Sequence, residues 1–199
     1  MANVERTMEN LKKRGFAVSR FSDKESAAEY VCEQVGSAPV GIGGCTTVED
    51  MELFPKLLAR GETFYHTQQK EPGIIEKANA APVYIMSANG VSESGLIINI
   101  DGRGNRVVNM CYGKEKLYYI IGVNKIAADD EAAMWRARNI ASPLNARRLK
   151  KNTPCAVGDV KCHDCNSPER ICGVFVTVER KPYGIAHAEV IIVEEALGY

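Results

Sequence analysis

A single tryptophan in 199 residues, 7% aromatics and a formal net charge of zero exclude several classes of protein at once. With 25 basic and 25 acidic side chains, no excess of cations exists to neutralise nucleic-acid phosphates, so no nucleic-acid partner is implied. No apolar run approaches the length that spans a bilayer, and the opening MANVERTMENLKKRG lacks the apolar core of a secretory signal. Neither export nor membrane insertion is expected. Seven cysteines, an odd count, do not suit a secreted disulfide framework and point to a reducing cytoplasm. The rest is ordinary globular composition, 45% hydrophobic and 25% charged, in a length that suits one domain over 1–199.

The pattern along the chain predicts α/β architecture. Val4, Met8 and Leu11 share one helical stripe that Gly15 terminates. Phe16 to Phe21 reads as a short strand. Ser22 to Glu25 is a capping-box pattern opening a helix that Gly36 closes. Pro39 to Gly43 reads as a strand, followed by a helix that Pro55 interrupts or bends. Four strands are then expected in succession, at Pro82–Ser87, Leu96–Ile100, Arg106–Met110 and Leu117–Val123, with Asn89-Gly90 and Asp101 to Asn105 as turns. Asp129 to Ile140 reads as a helix that Ser142-Pro143 breaks, with Leu144 to Lys150 as a second, basic helix. Val174–Glu179 and Glu189–Glu194 read as the last strands. This order implies a mostly parallel sheet flanked by helices, with an antiparallel hairpin element and a cysteine-rich loop over 154–173 as an excursion.

Gly43, Gly44, Cys45, Thr46 and Thr47 join a strand to a helix. Glycines admit close backbone approach, and the threonine hydroxyls add donors, so this turn is either a phosphate or carboxylate site or a tight turn with a threonine cap. The Walker lysine and the third glycine of the dinucleotide pattern are both missing. Glu93 lies in a turn at a strand end, as nucleophile or base, or as a solvated turn glutamate. Arg103 and Arg106 either clamp an anion or belong to a plain hairpin. Lys125 ends another strand and faces either the same crevice or solvent.

Cys155, Cys162, Cys165 and Cys172 form a C-x6-C-x2-C-x6-C array, symmetric about a CxxC chelate. Two thiolates of a CxxC hold one metal or cluster, and the outer pair completes four ligands. The spacing matches neither the zinc ribbon nor the ferredoxin run, so zinc and [4Fe–4S] both stand, with a redox disulfide as a third option. His163 is read either as a further ligand or as a solvent-facing neighbour, with the second favoured. Cys32, Cys45 and Cys111 read as small buried hydrophobes, with Cys45 as the exception because a helix N-terminus beside it would favour its thiolate, and Trp135 reads as core.

Taken together, Gly43 to Thr47, Ser92-Glu93-Ser94-Gly95, Gly104-Asn105-Arg106, Gly122 to Ile126, Ser142 to Arg147 and the closing Glu194 to Tyr199 resemble the LUD-domain family, also called lactate utilization protein C or YkgG-like. The resemblance implies a fold like that of NagB, ribose-5-phosphate isomerase and CoA transferases. It implies a place in L-lactate oxidation beside iron–sulfur partner subunits. It also implies a phosphate-binding role for the Gly43 turn, with Asn105 and Arg106, and sets Glu93 where CoA-transferase relatives carry a nucleophile.

Three functions compete. The first is a redox accessory of lactate or 2-hydroxy acid oxidation, with [4Fe–4S] on the four cysteines and iron–sulfur oxidoreductase subunits as partners. The second is a stand-alone isomerase- or CoA-transferase-like enzyme using Glu93 and Lys125 on a small anionic or phosphorylated ligand. The third is a ligand-binding protein with structural zinc. Homo-oligomerisation is compatible with each.

Overall fold

The computed structural model describes residues 3–199. Its strands are β1 (Ala17–Phe21), β2 (Val40–Ile42), β3 (Thr63–Tyr65), β4 (Val83–Met86), β5 (Gly90–Ser92), β6 (Ile97–Asp101), β7 (Lys114–Gly122), β8 (Ile126–Ala127), β9 (Val174–Val178) and β10 (Ile185–Val193). Its helices are α1 (Val4–Lys13), α2 (Lys24–Val35), α3 (Thr46–Asp50), α4 (Leu53–Leu58), α5 (Ile74–Ala80), α6 (Asp130–Arg136), α7 (Ser142–Arg148) and α8 (Pro154–Val157). Six strands form a wholly parallel sheet in the order β1-β10-β7-β4-β2-β3. A second sheet, β8-β5-β6-β9, contains the antiparallel hairpin β5–β6.

The central strands are continuous apolar runs because both faces of the parallel sheet are covered. Alternate residues of one strand serve opposite layers. Ile120 packs with Ile42, Ile85 and Ile191 under α2, α3 and α4, through Val31, Val48 and Leu57. Its neighbour Ile121 packs with Met86 and Ile192 under α1, through Leu11, and against Val91, Ile97 and Val178 of the second sheet. Local signals fix the helix starts. Asn3 caps α1 by accepting from the Arg6 N–H, and Asp23 caps α2 by accepting from the Ser26 N–H.

Several expectations are corrected. Arg106–Met110 is no strand: Val107–Met110 is a 3-10 turn, because the Asp101 carboxylate accepts from the Arg106 N–H at 3.0 Å and the Val107 N–H at 3.4 Å. Asp101 to Arg106 is accordingly not a hairpin, and β6 pairs with β9 instead. Ser142-Pro143 does not end its helix. A π-turn at Ala137–Ala141 carries α6 into α7, and the wider turn absorbs the missing proline N–H. Pro55 sits in the first turn of α4, where its lost donor is harmless; the break lies at Glu52, in the left-handed region at φ +49°. Trp135 is 59% exposed, since Ala133, Arg136 and Ala137 form the inner face of that helix. Cys111 is also exposed.

The connections decide where a ligand is expected. From β2 the chain passes through α3 and α4 outward to the edge strand β3, while from β4 it proceeds the other way to β7. The carboxyl ends of β2 and β4 are thus adjacent strand ends whose connections diverge, the switch point at which open α/β sheets bind ligands.

Candidate functional site

Three strands deliver side chains to that switch point. β2 runs into Gly43–Thr47, β4 into Ser87, and β7 into a 3-10 turn ending at Lys125. Lys125 is 3% exposed, and its Nζ donates to Thr47 Oγ1 at 2.7 Å and Ser87 Oγ at 2.9 Å. Burial holds its pKa down at about 8; the Arg136 and Arg106 guanidinium groups push the same way, and Cys45 and Asp50 oppose them. Arg136 is buried too, bonded to the carbonyls of Asn124 and Asn89, with its pKa lowered by burial to about 10.

The glycines bring the rim close. A Cβ on Gly43 would meet Arg106 Cγ at 3.0 Å and Tyr84 Oη at 3.2 Å, and one on Gly44 would meet the His66 ring at 3.3 Å. Burial, then Arg103, Lys70 and Arg106, lower the pKa of His66. Arg106 is held by the Ile100 carbonyl and by Asp101 at 3.7 Å, while Asn105 contributes its backbone carbonyl to Tyr84 and Asn109. Because α3 is only five residues long and Cys45 makes no side-chain cap, the positive character here comes from side chains rather than a helix dipole. The chain end closes over the turn: Thr47 Oγ1 donates to the Leu197 carbonyl at 3.4 Å, the Leu197 N–H and Gly198 carbonyl are bracketed by Asn124, and the Gly198 N–H donates to Asp50.

The structure thus brings together Gly43, Gly44, Cys45, Thr46, Thr47, Arg106 and Lys125. It does not bring Glu93 to them. Glu93 follows β5 at the end remote from Ser87, where its Oε1 accepts the Asn3 N–H at 2.8 Å, its carbonyl accepts Asn10 Nδ2 at 2.7 Å, and Arg6 lies 3.7 Å from Oε2. The carboxylate serves the start of α1. Glu93→Ala is expected to cost about 1–2 kcal/mol in urea denaturation, and Glu93→Gln, which keeps an acceptor for Asn3, less. Sequence reasoning missed Ser87, Arg136 and His66; only Ser87, the last residue of an expected strand, carried a positional signal.

The second constellation is the 154–173 loop. Cys155, Cys162, Cys165 and Cys172, none in a disulfide, line one cavity with Arg138, Ser142, His163, Asp164 and Arg170. Hydrogen-bonding groups reach two of the sulfurs. The Asp164 N–H donates to Cys162 Sγ at 3.4 Å, the Thr153 hydroxyl lies 3.3 Å from Cys155 Sγ, and Ser142 lines the same cavity as Cys172. Burial pushes the Cys172 thiol up, and Ser142 and Arg170 pull it down. Arg170 fastens the loop by donating to the carbonyls of Cys165 and Cys172. Among the described residues no three His, Cys, Asp or Glu side chains converge on one metal position. The donor set nonetheless suits a thiolate-ligated group: four soft ligands face one cavity beside two guanidinium groups that favour anionic sulfur.

Among the described residues no helix is long and apolar enough to cross a membrane. A DUF162 family protein from Deinococcus radiodurans, solved by crystallography, has a similar fold, with a TM-score of 0.54 at 10% sequence identity over 96% of this chain and 95% of that one. No curated protein matches the chain. The family model described as the LUD domain matches residues 4–193, nearly the whole chain. The chain belongs to the LUD-domain family.

Proposed function

We propose that this LUD-domain chain is a cytoplasmic accessory component of the oxidation of L-lactate or a similar 2-hydroxy acid, holding a [4Fe–4S] cluster on Cys155, Cys162, Cys165 and Cys172. The observation that carries this reading is the gathering of all four cysteines on one cavity, with hydrogen-bonding groups at two sulfurs and Arg138 and Arg170 beside them. Such surroundings offset thiolate charge and tune a bound centre. When bound, a cluster supplies reversible electron transfer. The chain's own residues position it: Arg170 fastens the loop to itself through the carbonyls of Cys165 and Cys172, while the Asn139 side chain, which accepts from the Cys162 N–H at 3.2 Å, and Arg147, which donates to the carbonyls of Ala156 and Gly158, tie it to the helix running through α6 and α7. Iron–sulfur oxidoreductase subunits are the partners this reading requires, because oxidising a 2-hydroxy acid to a 2-oxo acid releases electrons that must leave through further carriers.

The test is anaerobic purification of wild type and of Cys162→Ser and Cys165→Ser. A visible charge-transfer band that dithionite bleaches, and that both variants lose together with their iron, is the expected result. Zinc retained by the wild type, with no such band, contradicts electron transfer and makes the loop a structural staple.

A further inference from the structure

Charge is unevenly spread along this neutral chain. From Arg138 to Arg170 stand seven basic residues against three acidic ones, in a chain whose totals are 25 and 25. Those three acids are already engaged. Asp159 pairs with Lys161 at 3.4 Å, Asp164 pairs with Arg170 at 3.2 Å, and the Glu169 carboxylate accepts the Asn152 N–H at 2.9 Å. Arg147, Arg148, Lys150 and Lys151 have no carboxylate partner among the described residues. Arg147 and Arg148 lie in the last turn of α7, where cations complement the helix dipole. Lys150 and Lys151 lie past that helix, so the dipole does not account for them. Apolar side chains stand among these cations: Leu149 is 43% exposed, Val157 71% and Val160 37%. The segments form one surface, because Arg147 donates to the carbonyls of Ala156 and Gly158 and the Ser167 hydroxyl donates to the Asn152 carbonyl. This surface borders the cysteine cavity, which Thr153, Cys155 and Arg170 line.

We propose that this basic, partly apolar surface beside the cysteine loop is a docking face for the acidic surface of a small electron-carrier protein. Charge selects the occupant. Four cations without carboxylate partners repel a second copy presenting the same face, and they attract and steer a partner whose matching face is anionic. Exposed aliphatic side chains set among charges are what a protein interface buries at its centre, with the charges at its rim. Nucleic acid fits less well, because no Phe, Tyr or Trp lies between Arg138 and Gly173 for a base to stack on. The choice of an electron carrier rests on the proposed cluster, whereas the docking of an acidic protein does not. One electron passes per encounter: the carrier is reduced by the electron that leaves the loop, and no bond or proton moves with it.

The test titrates the anaerobically purified full chain with an oxidised, acidic [2Fe–2S] ferredoxin and, separately, with duplex DNA, each at low and at raised salt. Wild type is compared with Val157→Ser and with a triple variant carrying Arg148→Glu, Lys150→Glu and Lys151→Glu. Wild type is expected to bind the ferredoxin at low salt and to lose about tenfold or more in affinity as salt is raised. The triple variant is expected to show a similar loss already at low salt, with little further salt dependence, and Val157→Ser a severalfold loss at either salt. Iron content and melting temperature, measured on the same samples, are expected to match wild type, since none of these side chains lines the cysteine cavity. Should the triple variant fold poorly, Lys151→Glu alone and the salt dependence of wild type decide. An iron-loaded wild type that does not bind the ferredoxin, a charge-reversed variant that binds as wild type does, or tighter binding of DNA than of ferredoxin overturns the docking face and leaves the cluster standing. A wild type that binds the ferredoxin but holds no iron overturns the cluster and the carrier's role, and leaves the docking of an acidic protein standing.

Discussion

Gly41→Ala is expected to destabilise the protein by about 3 kcal/mol or more, a large share of the stability of a domain this size. A Cβ at this position would lie 2.0 Å from the Ala78 carbonyl oxygen and 2.8 Å from a Tyr84 ring carbon. Neither can yield cheaply. Ala78 belongs to α5, which lies directly on β2, and Tyr84 is fully buried in the strand alongside. Accommodating one methyl group means lifting α5 off the sheet, beside the strand end that leads to Gly43. Urea denaturation reads the effect as a lowered midpoint at unchanged slope. A loss below about 1 kcal/mol would show that α5 is not seated as described.

The second large effect is on the pH dependence of stability. Lys125 titrates at about 8 in the folded chain against an ordinary 10.5. Between those values the unfolded chain holds a proton that the folded chain has released, so stability rises with pH across this window. The full rise is worth about 3 kcal/mol. Below pH 8 both states are protonated and the penalty of the buried charge is fully felt. Tyr65, Tyr84 and Tyr118, pushed up by burial, act in the opposite direction above a pH of about 10, so the clean interval is the lower part of the window. Subtracting the profile of Lys125→Met removes these and the other titrating groups. A flat difference from pH 7 to about 10 would mean that Lys125 is solvated in the folded chain.

Much of this site is legible from strand ends. Gly43 to Thr47 and Lys125 each follow an apolar run, and a run that stops at a glycine or a polar cluster marks a crevice edge in a parallel sheet. The cysteine array is legible from spacing alone. Other parts are not. β3 is three residues, Thr63–Tyr65, set between polar stretches, too short for its alternation to show; missing it hides His66. Arg136 looks like one more charge on an amphipathic helix, and only the packing of α6 against β5 turns it inward. Glu93 reads as a strand-end carboxylate, yet the start of α1, far away in sequence, takes it as an acceptor for Asn3. Arg106–Met110 has strand composition, but a carboxylate five residues earlier supplies the local bonds that favour a 3-10 turn. In each case a tertiary partner overrides a local preference, which no window of sequence contains.

The claim on which the functional account turns is that Cys155, Cys162, Cys165 and Cys172 hold an iron–sulfur cluster. Iron, zinc and acid-labile sulfide measured on the anaerobically purified full chain test it most directly. Iron and sulfide in equal amounts, with zinc absent, is the expected result. Zinc at about one per chain without sulfide, or no metal at all, would contradict it.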